Sequence, residues 1–173
     1  PDAAAYWLET MLAAGEDPEF IARRLVVLAS EDVGLADPAA LQVAVAAAQA
    51  LQFVGLPEAA YALYQAALYL ATAPKSNSIK RTMDAAREAV EGTPGADVPA
   101  HLRDSGYRGA ASLGHGVGYR YPHDAPGAVV AQQYLPDDAK GRILYRPGSE
   151  GAESERAERL AAWDRLVGRR PRD

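Results

Sequence analysis

Repeated helix start and stop signals constrain the fold of this chain more than any other feature. Asp17 can cap a helix because its carboxylate accepts from free backbone N–H groups, and Pro18 suits the first helical position. Gly34 suits a left-handed cap at the end of that helix, and Asp37-Pro38 repeats the start signal. The pattern predicts consecutive helices joined by short turns.

The same signals predict five helices in the first part of the chain. We expect them near residues 3–14, 18–34, 38–54, 57–73 and 76–90, each ended by a glycine or a proline. Connections of two to six residues favour antiparallel packing. Apolar residues lie nearly all round the fourth helix, which indicates burial on more than one side. The predicted fold class is all-α, a bundle of about five core helices.

Composition changes after Gly92. Residues 92–151 are rich in glycine and proline, yet they carry too much tyrosine, leucine and isoleucine for a solvated linker. We therefore expect an irregular segment that wraps a surface, followed by a last helix from about Ser154 to Val167. The predicted organisation is a helical core at 1–92, with the wrapping segment and final helix at 93–173 in the same domain.

Charge and composition exclude several classes of protein. The chain has 173 residues, 49% of them hydrophobic, and no cysteine, so it should bury a core without disulfides. No run of apolar residues is long enough to span a membrane. Residues 1–100 carry 6 basic and 13 acidic side chains, and residues 101–173 carry 12 and 10. The chain opens at Pro1 without a leader, so we expect part of a longer, cytoplasmic protein with no membrane partner.

Two clusters could bind an anion. Arg23 and Arg24 stand two helical turns from Glu31 and Asp32, and this arrangement favours an ion-pair network over an anion site because the carboxylates would offset the arginines.

The second cluster is the sequence Lys75-Ser76-Asn77-Ser78. It places a cation and several donors at a predicted helix N-terminus, which is a geometry that binds phosphate. Simple capping explains Ser and Asn equally well, so both interpretations stay open and Lys75 is the residue that would decide between them.

No catalytic, cofactor-binding or metal-binding residue is predicted. Gly114–Gly118 lacks the spacing and the strand-helix context of a nucleotide loop, and a flexible turn explains it better. The histidines His101, His115 and His123 lack the spacing of metal ligands, although Asp124 follows His123. Nothing in their spacing supports a hydrolytic triad.

The back half has the best candidate for a nucleic-acid surface. Its arginines are interleaved with Tyr145 and Trp163, but several glutamates dilute them. A solvated helix with pairs such as Glu155–Arg159 is the favoured interpretation. The arginines concerned are Arg142, Arg146, Arg156, Arg159, Arg165, Arg169, Arg170 and Arg172.

Several stretches, in order along nearly the whole chain, resemble the C-terminal region of the RarA/MgsA family of replication-associated recombination AAA+ ATPases. A eukaryotic relative of that family is the Werner helicase-interacting protein. The stretches are Tyr6–Leu8, Gly15–Pro18, Ile21–Leu25, Ala29–Pro38, Ala73–Asn77, Val98–Arg103, Gly118–Asp124 and Gln133–Pro136.

The resemblance implies a helical domain, related to the collar of clamp loaders, that gathers subunits into a homotetramer. It implies ATP and Mg²⁺ in a separate AAA+ module, so this chain itself would not be an enzyme. It also implies DNA and single-stranded-DNA-binding protein as partners of the whole protein, acting at replication forks. Within the resembling stretch at 118–124, the candidate interaction residues are Tyr119, Tyr121, His123 and Asp124.

Two other hypotheses stay open from the sequence. A helical-repeat module that docks a replication partner is suggested by Ala60–Tyr69, although no recurrence of about 34 residues supports it. An independent enzyme has only the scattered histidines in its favour.

Overall fold

The computed structural model describes residues 1–172 and contains no strand in that range. This confirms the predicted all-α fold. A π-helical turn at Ala29–Val33 and a 3-10 turn at Gly34–Ala36 follow the second helix. The α-helices within the described residues are α1 (Asp2–Ala13), α2 (Pro18–Leu28), α3 (Ala39–Val54), α4 (Ala60–Thr72), α5 (Ser78–Glu91) and α6 (Glu153–Leu166).

Aspartate side chains accept from backbone N–H groups at the start of two of these helices, as predicted. The carboxylate of Asp17 accepts from the backbone N–H groups of Glu19 at 3.0 Å and Phe20 at 3.2 Å. Asp37 accepts from the N–H of Ala39 at 3.1 Å, and its other oxygen accepts from the Tyr69 hydroxyl at 2.7 Å. Asp37 therefore fixes both the start of α3 and the position of α4 beside it.

The chain divides into two compact units. Unit 1 consists of residues 1–81 and 147–157, and unit 2 of the described residues in 82–146 and 158–172. These units are defined by packing, whereas the predicted division near residue 92 came from composition and stays a prediction.

Helices α1 to α4 form the core of unit 1, with α3 packed against α2 and α4, and α1 against α4. Small side chains allow this close packing: Ala40, Ala44 and Ala47 lie on one face of α3 and are at most 5% exposed. One cluster is centred on Leu51 and Leu63, and the buried members of the second are Ala29, Val33, Ala40, Ala44 and Leu70.

Unit 2 contains parts of α5 and α6, joined by an irregular segment with several short 3-10 turns that hydrogen bonds hold together. The N–H of Gly116 donates to the carbonyl of Ala100 at 3.0 Å, and the His101 ring lies 2.8 Å from the carbonyl of Gln133. Its few fully buried apolar residues are small, Val130 being the largest. The turns are Ala100–Leu102, Ala110–Leu113, Pro122–Asp124, Pro126–Ala128 and Asp137–Ala139.

Candidate functional site

The structure does not bring the two predicted arginines and two acids into one network. Arg23 reaches back to the helix start, where its guanidinium lies 3.2 Å from Asp17 and 3.8 Å from Glu19. Within residues 1–172, neither Arg23 nor Arg24 pairs with Glu31 or Asp32. The Asp32 carbonyl instead accepts from the Ser76 N–H at 2.7 Å. Arg23 thus stabilises the beginning of α2 through the capping residue.

Lys75 caps the end of α4. Its ammonium group donates to the carbonyls of Leu70 at 2.8 Å and Ala73, which the helix leaves without intrahelical partners. Asn77 is exposed, and its carbonyl accepts from the N–H of Arg81 in the first turn of α5. The Lys75 charge is therefore directed at carbonyl oxygens at the end of α4, while at the start of α5 the Ser76 hydroxyl oxygen accepts from the Ser78 N–H at 3.2 Å.

The serines beside Lys75 surround a buried carboxyl group that the sequence did not reveal. Glu153 is fully buried, and it accepts from the hydroxyls of Ser76 and Ser78, the latter at 2.5 Å. The backbone N–H of Gly148 donates to the same carboxyl group at 3.0 Å. We call these four residues the Glu153 cluster. It joins the first turn of α6 to the connection between α4 and α5 inside unit 1.

Two glycines allow residues 147–157 to lie this close to the helical core. A Cβ on Gly148 would stand 2.7 Å from a Glu153 oxygen. A Cβ on Gly151, whose φ is +55°, would stand 2.1 Å from the Ala36 carbonyl oxygen. That same oxygen accepts from the N–H of Ala152 at 2.8 Å. The approach is therefore backbone to backbone, and only glycine fits at residue 151.

The candidate interaction residues at 119–124 lie in unit 2, where tyrosine and histidine rings form pairs. Tyr121 comes just before a 3-10 turn that contains His123, and the centroids of the two rings lie 5.1 Å apart. Asp124 is the last residue of that turn. The Tyr107 hydroxyl lies 2.6 Å from the His115 ring, while Tyr119 is 45% exposed. Throughout residues 1–172, no group of three or more His, Asp or Glu side chains could hold a metal ion.

The two most exposed large apolar side chains of unit 1 lie where α3 turns into α4. Phe53 is 91% exposed and Tyr61 84%, with Val54 and Leu56 about half exposed between them in the sequence. We call these four residues the α3–α4 corner. Periodicity predicted burial on more than one side of α4, whereas the buried residues Leu63, Ala66, Ala67 and Leu70 leave Tyr61 in solvent.

None of the helices described within residues 1–172 is both long and apolar enough to cross a bilayer.

Comparison with known proteins identifies a consistent set of relatives. A family model described as MgsA AAA+ ATPase C terminal matches residues 1–164. An uncharacterised AAA domain-containing protein of Mycobacterium tuberculosis is 54% identical over 95% of this chain and 36% of its own length. Replication-associated recombination protein A of Escherichia coli K12 is 43% identical over 93% of this chain and 36% of its own length. ATPase WRNIP1 of Dictyostelium discoideum is 45% identical over 83% of this chain and 17% of its own length. The chain spans about a third of the length of the first of these curated relatives.

Proposed function

Because the chain belongs to the family of MgsA AAA+ ATPase C-terminal regions, we propose that it assembles its protein into a homotetramer. The observation that carries the proposal is the α3–α4 corner, where Phe53 and Tyr61 are 91% and 84% exposed. Burying such side chains against another copy would contribute about 1.5–3 kcal/mol each.

The proposed role fits the chemistry of the two exposed aromatic residues. Aromatic side chains are enriched at the centres of protein interfaces, where they bury a large area at low entropic cost. The corner belongs to a unit whose own helices already have a packed core, so it is free to pack against another subunit.

The whole protein is proposed to act in replication-associated recombination, as the names of several relatives state for those proteins. We propose that ATP and Mg²⁺ bind in an AAA+ module outside this chain, where hydrolysis would occur. Single-stranded-DNA-binding protein and DNA are the proposed partners of that longer protein.

Sedimentation across a range of concentrations tests the assembly role. We expect a particle of about four times the 18.4 kDa chain mass. The double variant Phe53→Ser with Tyr61→Ser removes the free energy of burying two aromatic side chains, about 3–6 kcal/mol for each subunit contact that buries both. This loss raises the dissociation constant of that contact at least a hundredfold. The matched control is Val90→Ser, since Val90 is a 71% exposed apolar residue outside the corner.

A chain that sediments as a monomer at every concentration contradicts the proposal. That result would favour the alternative role, a helical module that docks a replication partner. Equal dissociation in the corner variant and the Val90→Ser control would show that the corner is not the contact.

A further inference from the structure

A basic cleft of about 800 Å³ lies within unit 2. We define it by its four exposed cations, Lys140, Arg142, Arg169 and Arg170, which come from two segments far apart in the sequence. Among the described residues that line it, Asp164 is the single carboxylate. The cleft therefore concentrates positive charge although the whole chain carries a net charge of −5.

Asp164 does not neutralise the four cations, because Arg172 already pairs with it. The Arg172 guanidinium donates to both oxygens of Asp164, at 2.6 and 3.1 Å, and to the carbonyl of Tyr145 at 3.1 Å. Asp164 is only 7% exposed, so this pair is well shielded from solvent. Arg172 is thereby fixed beside α6 and the backbone at Tyr145.

The four cations remain available to a ligand. Across residues 1–172, no carboxylate pairs with Lys140, Arg142, Arg169 or Arg170. Arg170 makes only a long contact, 3.4 Å to the carbonyl of Gly141, across the two segments. Unpaired cations facing one cleft are the arrangement that binds a chain of phosphates, because each contact releases condensed counterions.

Aromatic side chains continue from the cleft. Tyr134 lines the basic cleft and also lines a neighbouring pocket of about 430 Å³, where Tyr119 and His101 are further lining residues. Both tyrosines are 45% exposed, so part of each side chain is open to solvent. Exposed aromatic rings next to a cationic groove are the surface on which unpaired bases stack.

We propose that the basic cleft of unit 2 binds single-stranded nucleic acid. The four cations contact successive phosphates, and bases stack on Tyr134 and then Tyr119. A duplex keeps its bases stacked on one another and offers none to these rings, and an acidic peptide would use the cations but not the aromatic pocket. The proposal is independent of tetramer assembly, since every residue it uses lies in unit 2.

Fluorescence anisotropy with a labelled oligothymidylate of about 20 nucleotides tests the phosphate contacts. Four contacts predict that the logarithm of the binding constant falls with the logarithm of salt at a slope of about −2.8. The double variant Arg169→Gln, Arg170→Gln should halve that slope and weaken binding about 25-fold at 0.1 M salt. The matched control is Arg24→Gln with Arg81→Gln, two exposed arginines of unit 1 whose loss should leave the slope unchanged.

The stacking contact is tested with a second pair of probes. Tyr134→Ala should weaken binding of the oligothymidylate at least about fivefold, the lower end of the effect of removing one stacked base. The same variant should bind an abasic strand of equal length and charge as well as the unaltered chain does. Circular dichroism of each variant confirms that the helices are intact.

Several results would overturn the proposal. One is equal affinity for the oligothymidylate and for a blunt duplex of the same length. Another is an equal change of the salt slope in the Arg24→Gln, Arg81→Gln control and in the Arg169→Gln, Arg170→Gln variant. The third is a pair of observations: inorganic polyphosphate displaces the strand at equal phosphate concentration, and Tyr134→Ala does not change the affinity for the strand. Together they would make the cleft a general anion site.

Discussion

Replacement of Glu153 tests whether the buried cluster holds residues 147–157 against the helical core. Three donors converge on this carboxyl group from Ser76, Ser78 and Gly148, as suits a carboxylate, which offers only acceptors. Glu153→Gln keeps the shape but replaces one acceptor oxygen by an NH₂ group, which cannot accept from the donor that faces it, and removes the charge that strengthens the remaining bonds. We expect it to lower the free energy of unfolding by about 2 kcal/mol, the contribution of one hydrogen bond to a charged group.

Glu153→Ala removes the bonds from Ser76, Ser78 and Gly148 together and leaves a cavity. Its expected cost is about 4 kcal/mol, within the range seen when one member of a buried polar network is deleted. The matched control is Glu155→Gln, on the exposed side of the same helical turn, which should change stability by no more than about 0.5 kcal/mol.

Urea unfolding followed by circular dichroism measures the global cost, and hydrogen exchange measures the local one. The amides to follow are those of Gly148 and Ala152, which donate to Glu153 and to the Ala36 carbonyl. A local loss of 2 kcal/mol corresponds to about 30-fold faster exchange at these amides. If both Glu153 variants match the Glu155→Gln control in stability and in exchange, the cluster does not fix this segment.

Three further changes follow from the helices of unit 1. Asp17→Ala removes the cap of α2 and should cost about 1 kcal/mol in urea unfolding, while Asp17→Asn, which can still cap, should cost less. Ala44→Leu forces a larger side chain into a fully buried site on α3 and should lower the free energy of unfolding by about 1–3 kcal/mol. The control Ala46→Leu, on the exposed face of α3, should leave the free energy of unfolding nearly unchanged. Hydrogen bonds to Glu9 and Asp37 raise the pKa values of Tyr64 and Tyr69. The stabilisation that these bonds give to the folded protein is therefore complete below pH 10.0 and is lost as the pH rises through the raised pKa values. Absorbance titration should show two late-ionising phenols that disappear in the Tyr64→Phe, Tyr69→Phe variant, and ordinary titration of both tyrosines would refute the assignment.

Local signals in the sequence predicted the helices because their causes are local. The carboxylate of Asp17 reaches N–H groups only two and three residues away, and Asp37 caps α3 in the same way. The five predicted core helices and the last helix therefore appear near their expected positions, with differences of a few residues at their ends.

Contacts between distant residues could not be predicted in this way. Ser78 and Glu153 are 75 residues apart, and no spacing rule connects them. An indirect signal was the pair of glycines just before α6, because Gly148 lies against Glu153 and Gly151 lies against the Ala36 carbonyl. The apolar pattern of α4 likewise could not show that Tyr61 is exposed, because periodicity does not distinguish a core from an interface.

The two proposed surfaces should differ in their dependence on salt concentration. The α3–α4 corner is apolar, and screening does not weaken apolar contacts, so a tenfold rise in sodium chloride should leave the mass of the assembled particle unchanged. The cleft depends on four cations, and the same rise should weaken strand binding about 600-fold, the factor given by a slope of −2.8 over one decade. Because the two surfaces belong to different units, Phe53→Ser with Tyr61→Ser should weaken assembly at least a hundredfold while each chain keeps its salt-sensitive strand binding. Loss of both properties in that variant would mean that the strand is bound only by the assembled protein, and that one cleft does not suffice.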